Sequence, residues 1–276
     1  MNSAQKVIKY VALVFGVFLA VGIISTIINV ALGVLSFSGV LTKSIKTTNF
    51  SQSYADVTEL DIYSFAGEIR IVSADDFKVE ANNVPVNFSC TLKDGKLIVN
   101  NKNKYIIRFF GLGDDLHPVI TVYMPDNEKL SRLTIENGAG KVSAESICCD
   151  DFRLEAGAGA IYVDSLVADN AEFDTGVGEV SVKSAILGGL DLQAGVGKFY
   201  MKGELNGNAD IDGGIGLLTL KLLNGRDDHS FDINTGVGSI TIDGERFSTG
   251  KIKVNNSKGN IKIDGGVGKI SVSYEK

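Results

Sequence analysis

The sequence predicts an all-β fold, a right-handed β-helix or β-solenoid built from short repeats, preceded by one N-terminal transmembrane helix. Three observations carry this expectation. A glycine-rich phrase recurs at fixed spacing from about Leu133 onward. Each copy is flanked by residues that alternate apolar and polar. The chain also opens on an apolar run, with no charged residue from Tyr10 to Thr42.

The phrase places two glycines around one small or apolar residue. The pairs are Gly138 and Gly140, Gly157 and Gly159, Gly176 and Gly178, Gly195 and Gly197, Gly214 and Gly216, Gly236 and Gly238, and finally Gly266 and Gly268, with a degenerate copy at Gly259. The second glycine steps by 19 from 140 to 216, and then the spacing loosens. A fixed period of this size indicates stacked supersecondary units, each unable to bury its apolar face alone.

The elements follow in order. Residues 1–9 form a short tail with Lys6 and Lys9. Residues 10–36 exceed the roughly 20 apolar residues that cross a bilayer, and the run is too long for the h-region of a cleaved signal. A cleaved signal and a buried soluble helix are the competing readings. Lys6 and Lys9 before the run and Lys43 and Lys46 after it nearly balance. The amino terminus tips the orientation toward an inside tail and an extracytoplasmic domain. Residues 37–56, polar and rich in Ser and Thr, read as a spacer. Residues 57–276 form the solenoid, with an irregular insertion near 73–130. Within the insertion, Asp94-Gly95 marks a hairpin turn.

In each repeat, the residues seven and five before the second glycine are apolar, as in Leu133 and Ile135 or Phe152 and Leu154. Those two and four after it are apolar too, as in Val142 and Ala144 or Ile161 and Val163. This period-two alternation predicts two short strands per turn around a glycine corner. A third apolar site recurs at Ile147, Leu166, Ala185, Leu205 and Leu223. The residue between the glycines, such as Val177 or Val196, is expected to point into the core. The terminal run Ile270–Tyr274 is expected to leave an open edge. Stacked antiparallel hairpins or a β-sandwich would use the same glycines and remain the competing folds.

The chemistry is sparse. Net charge is -6, which leaves little for nucleic-acid binding by counterion release. Cys90, Cys148 and Cys149 lack disulfide-framework or metal spacing. Four residues before the second glycine runs a column of Glu136, Glu155, Asp174, Gln193, Asp212, Asn234 and Asn255. It reads as a solvated edge or a cation ladder, but the Asp of the calcium-binding repeat is absent after Gly216 and Gly268. Each glycine pair precedes a strand and lacks the Lys-Ser/Thr of a phosphate loop. His117 and His229 fall in turns, and no nucleophile elbow or His-x-x-x-His pair accompanies them. No catalytic residue, cofactor or metal site is assigned, and the chain reads as no enzyme.

The repeated glycine corner, with the opening Asp61-Ile62-Tyr63-Ser64-Phe65-Ala66-Gly67-Glu68-Ile69-Arg70-Ile71, resembles the bacterial putative-adhesin family of unknown function. The resemblance spans about Leu60 to Val272 and implies a glycine-rich β-solenoid behind a membrane anchor. The expectation is a cell-membrane, single-pass protein, anchored to the lipid bilayer through 10–36. Its extracytoplasmic domain would be a non-catalytic binding or structural surface module with a protein or glycan ligand. An envelope sensor acting through a membrane partner and a polysaccharide-modifying enzyme are the alternatives.

Overall fold

The computed structural model describes residues 46–101, 117–126, 128–255 and 257–275. All its strands belong to one unit, residues 47–103 and 117–276. The strands are β1 (Thr47–Tyr54), β2 (Glu59–Ala74), β3 (Phe77–Pro85), β4 (Ser89–Lys93), β5 (Lys96–Asn101) and β6 (Val119–Pro125). There follow β7 (Leu130–Leu205), β8 (Ala209–Asp212), β9 (Ile215–Leu222), β10 (His229–Asn234) and β11 (Val237–Ile242). The last are β12 (Glu245–Phe247), β13 (Gly250–Ile252), β14 (Gly259–Asp264) and β15 (Val267–Tyr274).

β7 is one extended run of 76 residues that coils upon itself. Its length follows from the sequence: apolar residues alternate with polar ones through and beyond each glycine corner, so the ladder is not interrupted. Each turn lies parallel to the next. Leu190–Gln193 pairs with Ala209–Asp212, and Val196–Gly203 with Ile215–Leu222, so every residue meets its counterpart one period on. Inside, Phe173 packs against Phe152 and Phe199, each with ring centroids 5.4 Å apart. Such tilted and edge contacts suit aromatic rings beyond the apolar area they bury.

The interior has three walls, one more than the two strands expected per turn. Beside the pairs before and after the glycine corner, Ile147 and Cys149, Leu166 and Ala168, and Ala185 and Leu187 are all buried. Leu205 is buried as well, but Leu223 is exposed and Leu222 takes the interior position. The residue between the glycines also departs from expectation. Val177 is 59% exposed and Val196 45%, because the backbone at the corner turns this side chain outward.

The glycines stack in two columns. A Cβ on Gly157 would fall on the Gly138 carbonyl oxygen, and one on Gly159 on the Gly140 carbonyl oxygen. Gly159 also has φ 141° and Gly178 φ 147°, which L side chains rarely adopt. The corner therefore excludes a side chain twice, by backbone conformation and by the approach of the neighbouring layer.

Both ends of the stack break chain order. β2 lies between β7 on one side and β5 with β6 on the other, parallel to all three. Beyond these, β4 pairs antiparallel with β5, β3 with β6, and β1 with β3. β1 falls within the stretch read as a spacer. Asp94 (φ 51°) and Gly95 (φ 78°) make the two-residue β4–β5 turn, whose positive angles match the strand twist.

At the other end, β14–β15 sits between β8–β9 and β10–β11. The run Ile270–Tyr274 is therefore interior to the stack and not an open edge. β12 and β13, antiparallel to β11 and β10, cover the far side.

The membrane-helix assignment at 10–36 is corrected, and with it the bilayer partner, single-pass location and membrane-anchored function. No helix among the described residues is long and apolar enough to cross a membrane. Residues 10–36 lie outside the described residues. Length and absence of charge were the whole sequence argument, and neither dictates a backbone conformation.

Candidate functional site

The outer face of the wall that precedes the glycine corner carries a polar groove of about 860 Å³. Strand alternation builds it. Leu133, Phe152, Ala171 and Leu190 face the core, so the residues on either side face out. Two outward rows result. One runs Asp61, Thr134, Arg153, Glu172, Asp191, and the other Arg132, Asp151, Asn170, Gly189, Asn208. The register pairs Asp61 with Thr134 and Asp191 with Asp210, so the first row is aligned across layers.

At one end, Asp61 is only 3% exposed. Its Oδ2 accepts from Lys96 Nζ at 2.7 Å and from the Tyr63 hydroxyl at 3.0 Å. Its Oδ1 is buried without a hydrogen-bond partner among the described residues. Such a group costs roughly 1–3 kcal/mol, or more when charged, unless a donor reaches it. Burial, and then the bond to Asp61, pushes the Tyr63 hydroxyl pKa up. The Asp61 bond likewise raises that of Lys96.

In the middle, Arg153 is held as a fork. Its Nε and Nη2 donate to Glu155 Oε1 at 2.9 and 2.6 Å, and Nη1 to Glu172 Oε2 at 2.7 Å, one layer on. The Glu155 bond holds the guanidinium pKa above its ordinary value. Asn170 Nδ2 donates to Asp151 Oδ1 at 3.0 Å. In the next layer Gly189 replaces the amide, and a Cβ there would meet nothing nearer than Asn170 Oδ1 at 3.5 Å. Gly189 thus leaves a notch between Asn170 and Asn208. The groove offers carboxylates, amides and guanidinium at strand spacing, a set that binds hydroxyls and amides and lacks a positioned nucleophile.

Apart from Glu155, which holds Arg153, the residues singled out from sequence lie elsewhere. The glycine pairs form the two columns at the corner. The acidic column Glu136, Glu155 and Asp174 borders a second, shallower groove with Ser64 and Gly138, of about 510 Å³. Among the described residues no three His, Cys, Asp or Glu side chains gather in a metal-binding arrangement. His117 lies exposed outside any strand. His229 does not lie in a turn: it opens β10 and is fully buried. Its Nε2 donates to the Leu205 carbonyl at 2.8 Å, so Nδ1 accepts from the Tyr274 hydroxyl at 3.0 Å. Desolvation lowers its pKa. The thiol of Cys149 is buried and pushed up to about 12, chiefly by desolvation, which makes it unreactive.

Sequence reasoning missed Asp61 and Arg153. The available signal was the outward row itself, where Arg153 and Glu172 recur one period apart. The burial of Asp61 had no such signal, because Lys96 reaches it from the irregular insertion.

The solved structures that resemble this chain include three bacterial proteins. One is described as a putative cell adhesion protein from Clostridium sporogenes, with 14% identity and TM-score 0.42, covering 83% of this chain and 100% of that one. A putative adhesin from Bacteroides fragilis shares 14% identity at TM-score 0.44, covering 83% and 98%. A putative adhesin from Parabacteroides distasonis shares 15% at TM-score 0.37, covering 84% and 98%. None of the curated proteins matches this chain. The family model described as Toastrack DUF4097 matches residues 45–203, more than half of the sequence and most of the stacked array, and the chain belongs to that family.

Proposed function

We propose that this chain is a non-catalytic binding domain whose outer groove takes an extended, hydroxyl-rich polymer, a glycan. The observation that carries this reading is the outer groove itself, where carboxylate, amide and guanidinium side chains such as Asp151, Arg153, Asn170 and Asp191 recur at strand spacing. Ligand hydroxyls donate to carboxylates and accept from amide and guanidinium N–H groups, and the exposed side chains of the groove supply both. Arg153 and Asn170 are already fixed by their own neighbours, so ordering them on binding costs little further entropy. Carboxylates and cations are interspersed along the groove, which favours a polymer of low charge over a polyanion. A peptide is disfavoured, because the strands here are paired on both sides and offer no edge for augmentation.

The test is calorimetric or NMR titration of the full chain with a panel of neutral and acidic oligosaccharides, beside Arg153→Ala and Gly189→Gln. Gly189→Gln fills the notch without touching the core. Saturable binding, weakened at least about tenfold by either substitution, is the expected result, equivalent to roughly 1.4 kcal/mol. Absence of saturable binding across the panel, or binding indifferent to both substitutions, would leave a purely structural domain.

A further inference from the structure

β8–β9 and β10–β11 are consecutive in sequence, yet no ladder joins them among the described residues. β14–β15 fills the space between them. Ile261–Asp264 pairs with Ala209–Asp212, and Gly259–Asp264 with His229–Asn234. On the adjoining wall, Val267–Tyr274 pairs with Ile215–Leu222, and Val267–Val272 with Val237–Ile242. Every pairing is parallel. The segment thus closes two facing sheet edges at once, and without it both would present unpaired backbone groups.

The slot is specific to this segment. A Cβ on Gly268 would fall on the Gly216 carbonyl oxygen, so the glycine column continues through the slot. Lys262 reaches Asp210 at 3.0 Å. Glu275 is clasped by Lys202 and Lys221, each at 2.6 Å. The connection from β13 contains no strand among its described residues, Lys253–Asn255, Ser257 and Lys258.

We propose that Gly259–Glu275 is an exchangeable strand pair: the same slot accepts Gly259–Glu275 of a second copy of this chain, giving a strand-exchanged dimer hinged at Lys253–Asn255. The two forms share every contact within the slot and differ at the hinge and in association entropy. Closure within one chain wins in dilute solution, because the tether supplies a local concentration on the order of millimolar. Exchange wins when the hinge is too short to fold back, or when copies refold together at high concentration. The second copy is the partner because glycine column, Lys262 and Glu275 must all match at once.

The experiment uses two full-length variants, Ser239→Cys and Lys269→Cys. These residues are register partners on β11 and β15. The variants are unfolded together, refolded at high concentration and treated with a short bis-maleimide. Only exchange brings the two introduced thiols of different copies side by side, and each variant alone controls for the native cysteines. A crosslinked dimer enriched at least about tenfold in the mixture is expected. Equal crosslinking in mixture and controls, with both variants refolded, overturns the proposal. A second variant lacks Val254 and Asn255. It should become predominantly dimeric by light scattering with unchanged β-sheet circular dichroism. A folded monomer would overturn the hinge assignment, and should the deletion not fold, the mixed-copy crosslink decides.

Discussion

The stretch 130–222 and the stretch 223–275 use the same glycine corner and the same apolar alternation, yet they are assembled differently. In the first, each layer lies beside the layer that precedes it in the chain, one period away. In the second, the neighbours are further apart, as Ile263 is from its partners Ile233 and Ile211, and the latest layer lies inside the stack. Closing a longer loop costs more entropy before any contact compensates it. A regular period therefore gives order along the chain. Where the period stretches after Gly216, order is supplied by specific contacts such as Tyr274 with His229.

The sharpest way to break the comparison is a corner substitution. Gly178→Val adds a Cβ that would fall on the Gly159 carbonyl oxygen, at φ 147°. Gly244→Ala alters the β11–β12 turn, where φ is 81° and nothing lies within 4 Å. We expect Gly178→Val to lose more than about 3 kcal/mol or the fold itself, through strain and overpacking, and Gly244→Ala about 1–2 kcal/mol. Urea denaturation followed by circular dichroism measures both. Similar losses at the two positions would mean that the layers separate without cost.

A core cavity comes next. Phe173→Ala removes the ring between Phe152 and Phe199 and should cost about 3–5 kcal/mol. Hydrogen exchange should show the loss centred on 130–222. Loss confined to 223–275 instead would show that the array is not the cooperative unit.

Tyr274→Phe should be milder, about 0.5–1.5 kcal/mol for the lost hydroxyl bond to His229. Its effect should be local: faster exchange in β10, β11 and β15, with β7 unchanged. Uniform acceleration would contradict the division into two regions.

The smallest effect is on pH. His229 has a lowered pKa in the fold, so the unfolded chain takes up the proton first. Destabilisation then begins as pH falls through about 6.5 and grows down to the folded value. Asp228 favours the protonated ring, whereas Arg226 and Lys258 oppose it, and Tyr274 and Leu205 carry its two hydrogen bonds. Glu275, held at about 2 by hydrogen bonds from Lys202 and then Lys221, contributes stability above the ordinary carboxylate range. That contribution fades between about pH 4.5 and 2. Exchange measured along an acid series should open 223–275 before β7. His229→Gln should flatten the step near pH 6.5, and an unchanged step would assign it to another group.

What could be read from residues and what could not follow from the range of each interaction. Alternation of apolar residues is a local property, so the interior positions of β7 were legible one residue at a time. The glycine column was legible because the neighbouring layer recurs at a constant separation. The third wall was only half legible: Ile147, Leu166, Ala185 and Leu205 recur at one position, whereas the second position, Cys149, Ala168 and Leu187, repeats no residue type. The outward Val177 and Val196 were misread for a different reason: apolar character does not reveal which way a corner turns. The groove depended on layers meeting across sequence gaps, as Lys96 meets Asp61.

By itself, the sequence determined the all-β array of the described residues, the corner where no side chain is admitted, and the constant step that stacks one layer on the next. Each is decided by backbone sterics or by alternation within a few residues. Tertiary structure alone decided the order of layers at both ends, the burial of Asp61 and His229, and the polar groove. Parallel strands of similar pattern can pair in several orders at nearly equal local cost. The choice rests on contacts between residues far apart in the chain, which no local pattern records.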